Sequence, residues 1–179
     1  MKKISTLALA LGISTIGGLV LTQTANADDS KNTEARVTVE AGDLTLTSVN
    51  DINFETKKIS GEDITIQAVD SEISIQDLRG SSNKGWTLTA KLKEGDFNGL
   101  GLKFSPKITS NEKVAIATET GYLNVGGQQV ASVSDESIVE TEFDTVLNLK
   151  PSLNIPAKTK ANTYTTTIVW NLASTPETR

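Results

Sequence analysis

The chain of 179 residues has 17 basic and 22 acidic side chains, a formal net charge of −5, and neither histidine nor cysteine. Lacking those two residue types, it has no means for Ser-His-Asp or Cys-His catalysis, Cys/His zinc binding, thiol redox chemistry or disulfides, so the fold must stand on its apolar core. The basic residues stand singly or in pairs such as Lys57-Lys58, which does not make the basic patch that nucleic acid requires.

At the N-terminus, Lys2 and Lys3 precede an apolar stretch from Ile4 to Leu21, and Ala25-Asn26-Ala27 supplies a small-x-small cleavage pattern. Residues 1–27 are therefore expected to be a secretory signal peptide. A membrane anchor is the competing reading, because a span takes roughly 20 apolar residues. Ser5, Thr6, Gly12, Ser14, Thr15, Gly17 and Gly18 dilute the stretch, and the cleavage pattern follows it directly. No second apolar span follows, there is no Cys to carry a lipid, and Ala173-Ser174-Thr175-Pro176-Glu177-Thr178-Arg179 is not a sorting signal. The expectation is a secreted protein held at a surface non-covalently, with no membrane insertion after cleavage. Losing Lys2 and Lys3 with the leader leaves 15 basic residues against 22 acidic ones, a net charge of about −7. Nucleic acid and anionic membranes are poor partners for it.

Residues 28–36 are polar and are expected to form a flexible lead-in, with a single domain over 37–179. Period-2 pairs then follow in order: Val37/Val39, Leu44/Leu46, Ile52/Phe54, Ile64/Ile66 and Ile73/Ile75. Gly42-Asp43, Asn50-Asp51 and Ser60-Gly61-Glu62-Asp63 divide them as turns. Trp86, Leu88, Ala90 and Leu92 alternate with Thr87, Thr89, Lys91 and Lys93, the strand pattern at its clearest. Gly99-Leu100-Gly101, Gly121 and Gly126-Gly127 mark loops, and Leu123/Val125 and Val146 to Leu149 mark further strands. Tyr164, Thr166, Ile168, Trp170 and Leu172 repeat the alternation near the end. No segment sustains a 3.6-residue period, so the fold class is all-β, an antiparallel sandwich or barrel-like domain of many short strands.

Both tryptophans of the chain lie in Trp-x-Leu triplets, Trp86-Thr87-Leu88 and Trp170-Asn171-Leu172. Together with Asp77-Leu78-Arg79-Gly80, Gly85-Trp86, Leu153-Asn154-Ile155-Pro156 and Tyr164 to Leu172, they make the mature chain resemble the WxL domain of Gram-positive surface proteins, as a small single-domain member. The resemblance implies non-covalent attachment to the cell wall at the cell surface, with peptidoglycan as ligand. It also implies assembly with a membrane-anchored WxL-interacting protein and a sortase-anchored surface protein. A protein-interaction subunit of such a complex, adhesive or not, is the alternative role.

The residues themselves leave their roles open. Trp86 and Trp170 could stack on sugar faces. The reading that places them in the core is favoured, because Ala90 and Leu92, and Tyr164 and Ile168, continue the same apolar faces. Asp77 and Arg79, two apart, suit an ion pair or turn brace better than a ligand contact. Glu140, Glu142 and Asp144 would line one strand face and could collect calcium, although such a row more often protects an edge strand. Glu94 and Asp96 are one of many carboxylate pairs that a glycosidase could use. No nucleophile and base are grouped, so no enzyme and no cofactor are expected.

Overall fold

The computed structural model describes residues 33–59, 61–80, 85–134 and 143–174. The expected leader, most of the lead-in, Glu140 and Glu142 lie outside the described residues. The chain divides into two compact units, Met1–Thr38 and Val39–Arg179. Residues 33–38, the described part of the first, are exposed and have no regular secondary structure.

In the second unit the described residues form eleven strands: β1 (Leu44–Val49), β2 (Ile64–Gln67), β3 (Glu72–Asp77), β4 (Trp86–Leu92), β5 (Gly101–Phe104), β6 (Lys107–Ile108), β7 (Ala115–Ala117), β8 (Gln128–Val133), β9 (Asp144–Asn148), β10 (Pro151–Ile155) and β11 (Ile168–Ser174). They pair antiparallel in three sheets, ordered β1-β3-β9-β6, β2-β10-β5 and β11-β4-β8-β7. The protein is thus an all-β, antiparallel sandwich, as the alternation predicts. No helix among the described residues is long and apolar enough to cross a membrane.

The first two sheets are halves of one bent ribbon. Gln67 pairs with Ser152 and Glu72 with Asn148, so β2–β3 and β10–β9 run side by side in nearly constant register. Ala68 N donates to Pro151 O at 3.0 Å and Leu149 N to Ser71 O at 2.8 Å, carrying the ladder through the junction. β5 and β6 repeat the break on the other side, at Ser105-Pro106. Prolines at 106 and 151 lack a ladder donor, and Lys150 adopts φ +45°, a left-handed conformation that turns the chain. The β11-β4-β8-β7 sheet forms the other layer, with β11 approaching β1 and β7 approaching β6 at its two edges.

Ile73, Ile75, Leu88, Leu92, Phe104, Val130, Leu147 and Leu149 are almost fully enclosed and join one apolar cluster drawn from all three sheets. Each fully buried aliphatic side chain contributes roughly 1.5–3 kcal/mol.

Four sequence expectations change. Val37 and Val39 are 84% and 87% exposed and belong to no strand. Ile52 and Phe54 keep their alternating burial but have no ladder partner. Leu123 is buried while Val125 is 54% exposed, because this stretch covers the edge of β5, with Leu123 N donating to Leu102 O at 2.7 Å, without becoming a strand. Gly101, expected in a loop, opens β5. An ideal Cβ there would lie 2.7 Å from the Tyr122 ring, and glycine permits that approach.

Candidate functional site

The two Trp-x-Leu triplets meet in one ladder. β4 and β11 pair so that Leu88 faces Leu172, Trp86 faces Ser174 and Ala90 faces Trp170. Each indole therefore lies opposite a small residue, an arrangement that fits two large rings on one face without a clash. Their environments differ. Trp86 is 2% exposed and lies wholly in the core. Trp170 is only partly buried and stacks on Phe104 of β5, with centroids 5.4 Å apart and planes 19° from parallel. Leu88 is fully enclosed and Leu172 packs on the cluster from its margin.

Asp77 and Arg79 brace this ladder. Arg79 Nε donates to Asp77 Oδ1 at 2.8 Å and Nη2 to Oδ2 at 2.7 Å, a two-pronged pair with side-chain exposures of 14% and 8%. The same guanidinium donates to Gly85 O at 3.0 Å and to Ser174 Oγ at 2.5 Å. It thus ties the end of β3 to the residue before Trp86 and to the last residue of β11. Gly85 has φ +65°, a conformation that disfavours side chains, which explains glycine before this tryptophan.

Beside the ladder lies a groove of about 1030 Å³. Its floor is the apolar face of the β2-β10-β5 half-ribbon, where Ile66 and Leu102 both pair with Leu153, and Ile155 pairs with Ile64. Trp170, Phe97 and Leu100 close one side. Its walls come from residues 49–59 and 156–168, two connections with strand-like alternation but little ladder pairing. Tyr164 belongs to the second wall, where its hydroxyl donates to Lys160 O at 2.7 Å. The lining carboxylates Asp51, Glu55 and Glu62 are matched in number by Lys57, Lys58 and Lys160, so the groove has no net charge.

The outward face of β8, β4 and β11 has different chemistry. Thr87 faces Ser132 and Ala173, and Thr89 faces Gln129 and Asn171. Gln129 Nε2 donates to Thr118 Oγ1 at 3.3 Å and to Ser132 Oγ at 3.2 Å. It is a surface of hydroxyls and amides in which Lys91 is the charged member of β4.

The other candidates remain dispersed. Glu94 and Asp96 sit exposed in the turn after β4. Asp144 opens β9 and accepts from Gln76 Nε2 at 3.1 Å. No group of three or more acidic, histidine or cysteine side chains among the described residues could hold a metal ion.

The structure therefore brings Trp86, Leu88, Trp170, Leu172, Asp77 and Arg79 to one ladder, and places Trp170 and Tyr164 on the groove as well. Sequence reasoning missed Phe97, Leu100 and Phe104. Phe97 and Leu100 bridge across Asn98-Gly99, a hairpin dipeptide that could have drawn attention to them. A family model described as "WxL domain surface cell wall-binding" matches residues 23–176. No curated protein and no solved structure matches the chain.

Proposed function

Because the chain belongs to the WxL family of surface cell wall-binding domains, we propose that it is an exported protein whose mature domain attaches non-covalently to peptidoglycan and acts by binding, without catalysis. The family match over residues 23–176 is the observation that carries this reading. The export step rests on the leader pattern of residues 1–27. The contact surface is assigned to the outward face of β8, β4 and β11. Its threonines, Gln129 and Asn171 offer neutral donors and acceptors, which suit an uncharged saccharide. With a net charge near −7 after leader removal, the protein gains no long-range attraction to an anionic wall, so short-range hydrogen bonds must carry the affinity.

The test is retention of purified mature protein on washed sacculi, comparing the parent with a Thr87→Val/Thr89→Val variant, which removes both hydroxyls without changing the charge. The parent should be retained, and the variant should lose most of the bound fraction at unchanged melting temperature. A parent that stays in solution overturns wall binding, whereas a variant retained like the parent overturns only the choice of face.

A second reading, the interaction subunit of a multi-component surface complex, is supported by the groove. Its apolar floor and ladder-poor walls suit a polypeptide better than a sugar. The candidate partners are the membrane-anchored WxL-interacting protein and the sortase-anchored surface protein that the resemblance implies. Adding the extracellular domain of such a partner to the sacculus assay separates the readings, since an interaction subunit is retained only in its presence.

A further inference from the structure

The hairpin that closes one side of the groove is built on an asparagine followed by a glycine. Among the asparagines of the chain, Asn98 alone precedes glycine. Phe97 and Leu100 form an isolated bridge across the dipeptide, and both are buried and line the groove. Asn98 and Gly99 are exposed at the tip, with φ +51° and +81°, the backbone that this dipeptide favours in a two-residue turn. One backbone hydrogen bond closes the turn, Leu100 N donating to Phe97 O at 2.9 Å. Neither the Asn98 carboxamide nor the Gly99 N–H has a hydrogen-bond partner among the described residues. Gly99 has no side chain to shield its nitrogen, and nothing lies within 4 Å of where a Cβ would stand. An unshielded, unbonded amide nitrogen next to a carboxamide is placed to close a five-membered ring on it.

We propose that Asn98 is a self-modification site, whose conversion to an isoaspartyl linkage opens this side of the groove. Gly99 N gives its proton to hydroxide and bonds to Asn98 Cγ, the Cγ–Nδ2 bond breaks, and the amide takes a proton from water and leaves as ammonia. Water then opens the succinimide ring. Attack at Cγ yields an aspartyl residue, whereas attack at the backbone carbonyl carbon breaks its bond to Gly99 N and leaves the main chain running through Cβ and Cγ. Ring closure requires rotation about the Asn98 Cα–C bond, and the Leu100–Phe97 hydrogen bond is the one backbone bond of the turn that resists it. The isoaspartyl product adds a methylene to a two-residue turn, so the bridge between Phe97 and Leu100 no longer closes. It also places a carboxylate in the same turn as the exposed Glu94 and Asp96, beside a groove lining of no net charge. Repulsion within that turn acts against reclosure. The modification alters the groove whatever occupies it, and leaves the outward face of β8, β4 and β11 untouched.

The experiment ages the mature protein in mildly alkaline buffer made with heavy-oxygen water. The tryptic peptide of residues 94–103 is followed by mass spectrometry, beside the same peptide free in solution. Aspartyl and isoaspartyl forms carrying heavy oxygen should accumulate at Asn98, at a rate within roughly tenfold of the free peptide's, because a single backbone hydrogen bond restrains the turn. Asn124 and Asn162, equally exposed but followed by Val125 and Thr163, should stay intact over the same period. In hydrogen exchange, the Leu100 amide of the separated isoaspartyl form should exchange at least about tenfold faster than in the parent. N98D, which carries the new charge without the added methylene, should keep the parent's protection. N98G, relaxed at positive φ and without a side chain to close the ring, should stay unmodified and melt close to the parent. Three results would each overturn the proposal: conversion of Asn98 in the folded protein more than about tenfold slower than in the peptide, conversion of Asn124 or Asn162 as fast as that of Asn98, or an isoaspartyl form whose Leu100 amide is as protected as in N98D.

Discussion

At the scale of single residues, the two tryptophans share a motif but not a role. Trp86 is enclosed between the layers, so Trp86→Ala leaves a cavity and should lower unfolding free energy by roughly 3–5 kcal/mol. Trp170 meets solvent along the groove and stacks on one ring, so Trp170→Ala should cost only about 1–2 kcal/mol. Urea unfolding of both variants checks the ordering, and equal losses would contradict it. The brace provides a second residue-level prediction. Arg79→Met leaves Asp77 buried without its partner and should cost roughly 3–5 kcal/mol. Arg79→Lys keeps the charge but loses the fork, costing about 1–2 kcal/mol. In a double-mutant cycle, Asp77→Asn combined with Arg79→Met should cost less than the sum of the single changes, because no lone buried charge remains.

At the scale of elements, the bent ribbon decides where the groove can form. β2–β3 and β9–β10 would make one straight two-stranded ladder were it not for Lys150 and Pro151, and a straight ladder would place the β2-β10-β5 half elsewhere relative to β11 and Trp170. Lys150 at φ +45° is tolerated because an unbranched side chain pays a smaller penalty there than a β-branched one. Lys150→Val should therefore destabilise the protein by roughly 1–2 kcal/mol, and Lys150→Gly should be neutral or stabilising, as read by thermal melting. The alternation of Trp86 to Leu92 and of Ile73 to Ile75 was legible because those strands bury one face against the other layer. Ile52 and Phe54 show the same alternation without a ladder, because period-2 burial records which side faces the core and says nothing about whether a neighbouring strand is within hydrogen-bonding distance. β5 to β8 were obscure for the opposite reason: two to six residues, broken by glycine, proline and a bulge between Leu88 and Thr89 on the partner strand, are too short or irregular for a period to emerge.

At the scale of the whole molecule, one layer is complete and half of the other is not. The β1-β3-β9-β6 half of the ribbon is covered by the β11-β4-β8-β7 sheet, while the β2-β10-β5 half carries two connections and a groove. Hydrogen exchange should follow this division. Amides of β3, β4, β8 and β9, which lie between neighbours or in the core ladder, should be the slowest, and those of residues 51–59 and 163–166 should exchange faster by at least about 100-fold. Uniform protection across the second unit would refute it. The sequence by itself determined the all-β class, the WxL family and the pairing chemistry of Asp77 with Arg79, because alternation, a doubled motif and a two-residue spacing act over distances that the chain itself encodes. Only the tertiary structure decided that Trp86 is enclosed while Trp170 borders a groove, that Arg79 reaches Gly85 and Ser174, and that Val37 and Val39 stay exposed. Those outcomes depend on which segments distant in sequence arrive beside them, and on the bend at Lys150 that brings the half-ribbon under β11, neither of which any local pattern contains.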